Sequence, residues 1–89
     1  MRDFRWNDWN VSHIGEHGVR PIEAEEIILG ARRPFPMQQG GGKWLVRGQS
    51  GNGKYLQVIY VVEDDETIYV IHSRPLTDRE KRNLRRRQP

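Results

Sequence analysis

Apolar and polar positions change period twice along this chain, and the changes divide it into elements. Phe4-Arg5-Trp6 alternates, which predicts a short strand, and Asn7 or Asp8 then offers an oxygen to cap a helix carrying Val11 and Ile14. Gly15 and Gly18 end that helix. Pro21 suits the first turn of a second helix, where Glu23, Glu25 and Glu26 complement the positive end of the helix dipole. Ala24, Ile27, Ile28 and Ala31 recur at i, i+3, i+4 and i+7, so one face of this helix is apolar and packs on a sheet, until Gly30 and Pro34 stop it. Two prolines and Gly40-Gly41-Gly42 mark residues 34–42 as a connection, with room for a short edge strand around residues 35–38.

Strand signals return at Lys43. Residues 43–48 form one strand, and Ser50-Gly51-Asn52-Gly53 holds an Asn-Gly pair suited to the positive φ angles of a tight hairpin. Residues 55–62 become apolar on both faces, the mark of a central strand. Glu63-Asp64-Asp65-Glu66 is an acidic turn, residues 67–74 make a third strand, and Pro75 breaks it. Thr77-Asp78-Arg79-Glu80 has the form of a capping box that starts a basic helix toward Arg87. The expected order is β-α-α-β-β-β-α, an α+β fold in which helices pack on a small antiparallel sheet, within one domain over residues 1–89.

Composition narrows the classes. The 89 residues are too few for a two-domain enzyme, and the absence of cysteine excludes disulfides and thiolate zinc sites. No apolar run approaches the roughly 18–20 residues of a membrane span, and Met1-Arg2-Asp3-Phe4-Arg5 lacks the apolar stretch of a signal peptide. A cytoplasmic protein without membrane partners is expected. The net charge of +3 hides an asymmetry: residues 1–73 carry eight Lys and Arg against ten Asp and Glu, whereas residues 74–89 carry seven basic residues against two acidic ones. Such a positive end attracts phosphate backbones or an acidic protein.

Several patterns bear on chemistry. Gly48 to Lys54 imitates a phosphate-binding loop, but Tyr55 replaces the Ser or Thr that would hold magnesium, and a strand follows where a helix should open. A hairpin explains it better. His13 and His17 stand four apart, a spacing that can share a metal, yet Ile14 follows His13 where the metalloprotease motif has Glu, Gly15 weakens the helix and no third ligand is evident. No metal or other cofactor is therefore expected. Along the last strand Ile68, Val70, His72 and Arg74 share one face because side chains alternate, which sets an imidazole that can move protons beside a guanidinium that can hold phosphoryl charge, with a polar strand end dipping into solvent as the alternative. Arg47 and Lys54, flanking the hairpin, can join that surface. Trp6, Trp9 and Trp44 supply core bulk, with stacking on a nucleobase as the alternative use of each.

Phe4-Arg5-Trp6-Asn7, His17-Gly18-Val19, Glu23-Ala24, the glycine-rich hairpin, Ile68 to Ile71 running into Ser73-Arg74, and Thr77-x-x-Glu80-Lys81-Arg82 together resemble the BrnT family of type II toxin–antitoxin toxins over nearly the whole chain. The resemblance implies a RelE-like fold, metal-independent ribonuclease activity, and a cognate ribbon-helix-helix antitoxin that covers the toxin and brings the pair to operator DNA. Position by position it carries over Arg74 at the end of the last strand, His17 in the His-Gly turn, and the early aromatic Trp6. His72 stands where the family usually has a small residue, Arg20 replaces a capping Ser or Thr, and Asn7 replaces Asp.

The resulting expectation is RNA lying across the sheet face, with the ribose 2′-OH attacking the adjacent phosphate to leave a 2′,3′-cyclic end. Arg74 and Lys54 stabilise the pentavalent phosphorus, His17 or His72 moves protons, and Trp6, Arg47, Arg79 and Arg82 hold the RNA. The competing expectation is a non-catalytic module whose basic C-terminal helix binds a nucleic acid or an acidic protein.

Overall fold

Local signals for helix starts hold in the computed structural model, which describes residues 3–87, whereas Pro75, expected to break the last strand, is its final residue and pairs with Leu56. Strand β1 (Phe4–Arg5) leads into helix α1 (Asp8–Gly15) and helix α2 (Pro21–Leu29); β2 (Met37–Gly40), β3 (Lys43–Gln49), β4 (Tyr55–Val62) and β5 (Ile68–Pro75) follow, and α3 (Asp78–Arg87) closes the chain. Asn7 caps α1: its side chain accepts from the Asn10 N–H at 3.1 Å, and the Asn10 side chain accepts from the Asn7 N–H at 2.8 Å. The fully buried Asn10 also donates to the Arg5 carbonyl, which fixes α1 against the end of β1. At α3 the expected capping box forms, Thr77 Oγ1 accepting from the Glu80 N–H and Glu80 accepting from the Thr77 N–H.

The five strands form one sheet in the order β1-β5-β4-β3-β2. It is mixed, which corrects the expectation of an antiparallel sheet, while the edge strand allowed around residues 35–38 is present at Met37–Gly40. β1 runs parallel to β5, since the chain passes through both helices and three strands before β5 returns beside it, and β2 adds an edge strand beside β3. Ala31, counted in the apolar stripe of α2, falls beyond its C-cap at Gly30 yet still packs on the core.

The hairpin between β3 and β4 is wider than a two-residue Asn-Gly turn. Gly53 alone of the pair takes a positive φ, at +90°, and the Asn52 side chain donates to Glu23 of α2 at 2.6 Å. One sheet face carries Val46, Leu56, Val58, Tyr60, Ile68 and Val70, all buried, and these pack with Ile14, Ala24, Ile27 and Ile28 from α1 and α2. α3 lies on the opposite face, where buried Leu84 and Phe35 line an open cleft of about 250 Å³ together with Leu45 and Arg47. Helices thus flank the sheet on both sides.

A bulge decides where the strand-end residues of β5 point. Ile59 pairs with His72 and Tyr60 with Val70, so Ile71 is an extra residue opposite nothing. The expected single face of Ile68, Val70, His72 and Arg74 is therefore divided. Ile68 and Val70 face the core; His72 and Arg74 are turned to the other side, in register with Ile59 and Gln57.

Candidate active site

Trp9, His13 and His17 recur every four residues, so α1 and the turn after it align their rings in one stripe. α1 lies along β5, and the stripe meets Tyr69 and His72 there. The Trp9 and His13 rings stack with centroids 4.8 Å apart and planes 11° from parallel. His72 receives His17 edge-on at 5.5 Å and His13 at 6.0 Å, so three imidazoles converge on one strand position. His17 is exposed, while His13 and His72 are partly buried. Burial, then the fields of His17, His13 and Arg74, hold the His72 imidazole below the ordinary histidine pKa. At pH 7 it is the neutral form, able to accept a proton.

Arg74, two positions beyond His72 and on the same side of the bulged strand, is held differently. Its two terminal nitrogens meet the two oxygens of Glu80 at 2.8 and 2.9 Å, and one also reaches Gln57 Oε1 at 3.3 Å. Arg47 from β3 joins the same carboxylate at 3.1 Å and the same glutamine at 3.0 Å. The Arg74 hydrogen bonds, followed by the Thr77 N–H, lower the Glu80 pKa to about 2, so this carboxylate stays ionised and the trio keeps one net positive charge. The bidentate clasp in turn raises the Arg74 pKa. Arg74 is thus a clamped cation whose field reaches His72, which differs from the expectation of a free guanidinium gripping phosphorus.

Lys54 lies apart from this group. Its amine meets Glu23 at 3.1 Å and the Gly18 carbonyl at 3.1 Å, tying the hairpin to the start of α2. Glu23 is fully buried. Burial opposes its charge, but the Arg20 N–H, the Asn52 amide and the Lys54 amine overcome this and bring its pKa down to about 2. Lys54 and Arg74 therefore serve different carboxylates, and the expected convergence of the two on one phosphate is not observed. The indole N–H of half-buried Trp6 donates to Glu25 at 2.7 Å, so Trp6 joins the start of the chain to α2. Arg79 and Arg82 are exposed on α3.

Of the sequence-predicted site residues, the fold brings together His17, His72 and Arg74, places Arg47 beside Arg74, and leaves Lys54 and Trp6 in separate contacts. His13, which the sequence suggests only as a metal ligand or a packed histidine, joins the cluster through its ring contact with His72, and its four-residue spacing from His17 is the signal for it. Among the described residues no group of three or more His, Asp or Glu is arranged to hold a metal ion, and no helix is long and apolar enough to cross a membrane. No family model, curated protein or solved structure matches this chain.

Proposed function

We propose that this protein is an endoribonuclease toxin of the BrnT kind, cutting RNA without a metal ion and neutralised by a ribbon-helix-helix antitoxin. The observation that carries the proposal is the meeting of His13, His17 and His72 at one point of the surface, with centroids 5.5 and 6.0 Å from His72. Cleavage by an internal nucleophile needs two proton transfers on opposite sides of one phosphorus, and two imidazoles at this separation can flank a phosphodiester. His72, neutral at pH 7, takes the proton of the ribose 2′-OH. The freed oxygen attacks phosphorus, and the departing 5′-oxygen takes a proton from the exposed His17. The products are a 2′,3′-cyclic phosphate and a 5′-hydroxyl.

Arg74 acts here through the residual positive charge of its clasp with Glu80 and Arg47, favouring the extra negative charge of the pentavalent state. Arg79 and Arg82 lie exposed on α3 and attract the flanking backbone. The sequence resemblance supplies the toxin assignment, the RelE-like comparison and the antitoxin partner.

A second reading draws on the same clasp. Because Glu80 already occupies Arg74, the exposed Arg79 and Arg82 on α3 are offered to solvent in its place, which favours a binding module without catalysis. Incubating the purified protein with single-stranded RNA in EDTA separates the two. Fragments ending in 2′,3′-cyclic phosphate, together with growth arrest when the protein is induced in bacteria, support the nuclease. Intact RNA bound by the protein supports the module.

A further inference from the structure

Trp9 is 54 % exposed, although tryptophan is the side chain with most to gain from burial. Ile22 and Leu29 are similarly exposed on α2 and offer no flat face. Trp9 differs from them in being held. Its ring is nearly parallel to His13 at 4.8 Å and to Tyr69 at 6.3 Å, with interplanar angles of 11° and 19°. Tyr69 is fixed in turn: its hydroxyl donates to Asn7 Oδ1 at 3.2 Å, and the Arg5 guanidinium lies 4.2 Å from its ring centroid. An indole with more than half its surface open, and its plane already set by neighbours, loses little freedom when another flat ring covers it.

We propose that Trp9 is a stacking platform for a nucleobase of single-stranded RNA, set against the His13 ring of the imidazole cluster so that the stacked base positions the strand over the histidines. The proposal deepens the nuclease reading and rests on it for the identity of the strand. His13 links the two features, since one ring both stacks on Trp9 and lies 6.0 Å from His72. A base presents a π-face whatever its sequence, so such a platform favours unpaired strands over duplex, where bases are already stacked.

The test uses the full chain and a fluorescein-labelled 2′-O-methyl oligoribonucleotide, which keeps bases and phosphates but lacks the attacking hydroxyl, so that binding is read without cleavage. Trp9→Ala and Trp9→Leu weaken binding on the order of tenfold, while Trp9→Phe stays within about threefold of the parent. Circular dichroism checks that α1 remains folded; Leu keeps the apolar bulk without the plane. Removing bases from the oligonucleotide weakens the parent protein and leaves Trp9→Leu unchanged.

Equal affinity of Trp9→Leu and the parent overturns the platform and leaves Trp9 as a contact for another kind of partner, such as a protein. Failure of the parent to bind the oligonucleotide overturns it as well. RNA left intact in EDTA, alongside Trp9-dependent binding, removes the nuclease and keeps the platform. Cleavage with Trp9-independent binding removes the platform alone.

Discussion

The imidazole cluster and the Glu80 clasp lie on neighbouring parts of the same strand, yet they treat polar groups in opposite ways. In the clasp, Glu80 is shared by Arg47 and Arg74, Gln57 accepts from both arginines, and Thr77 closes the capping box. In the cluster, His13, His17 and His72 meet through ring contacts, and among the described residues none of their side chains has a hydrogen bond or ion pair. Satisfied charges fix the position of α3 over the sheet. Groups without a committed partner remain able to take or give a proton. The buried Glu23 network resembles the clasp in this respect: it fastens the hairpin to α2 and leaves Lys54 spoken for.

The contrast is broken most directly at His72. His72→Ala is expected to reduce RNA cleavage in EDTA on the order of 10²- to 10⁴-fold while leaving the thermal unfolding midpoint near that of the parent. Because the His72 pKa is lowered, the acid limb of the cleavage–pH profile is expected below pH 6.5, measured as kcat/KM for a short RNA. A large stability loss with unchanged cleavage would instead assign His72 to structure.

Next in size is Glu23→Ala, which leaves the Asn52 amide and the Arg20 N–H without their acceptor at a fully buried position. A loss of about 3–5 kcal/mol is expected in urea unfolding. Acid should act on the same groups. Glu23 and Glu80 are each held near a pKa of about 2, below the 4.5 expected unfolded, so the stability each supplies is complete above about pH 4.5 and is lost as pH falls toward 2. The loss is on the order of 3 kcal/mol for each, and Glu23→Gln should flatten its share of the pH curve.

The smallest effect is expected from Arg74→Lys. An ammonium keeps the charge but cannot meet both Glu80 oxygens as a fork, so stability should fall by about 1 kcal/mol in the same unfolding measurement. Cleavage should fall less than in His72→Ala, because the field at His72 is retained. Equal losses in the two variants would show that Arg74 touches the substrate itself.

Much of the local structure was legible in residue order. Thr77 and Glu80 announced the start of α3 because a capping box is closed by neighbours in sequence, and Pro21 announced α2 for the same reason. Asn7 and His17-Gly18 were readable too, as a cap and as a turn in which Gly18 takes a φ of +73°. The parallel pairing of β1 was not legible, since two residues carry no register information and their partner lies beyond both helices. Nor was Glu80's second task. As a member of a local box it looked complete, and only α3's position over β3 and β5 brings Arg47 and Arg74 to it.

The sequence alone determined the kinds of element, most of their ends, the basic character of the C-terminal segment and the four-residue spacing of His13 and His17, because each depends on groups a few bonds or one helical turn apart. Tertiary structure decided which of these residues meet. An extra residue at Ile71 turns His72 and Arg74 away from the face of Ile68 and Val70, and the packing of α1 along β5 then brings the His13 and His17 rings to His72. Strand alternation has a period of two, so a single unpaired residue reverses every side chain after it, and whether one is present is settled by pairing between strands, which the order of residues in one strand does not contain.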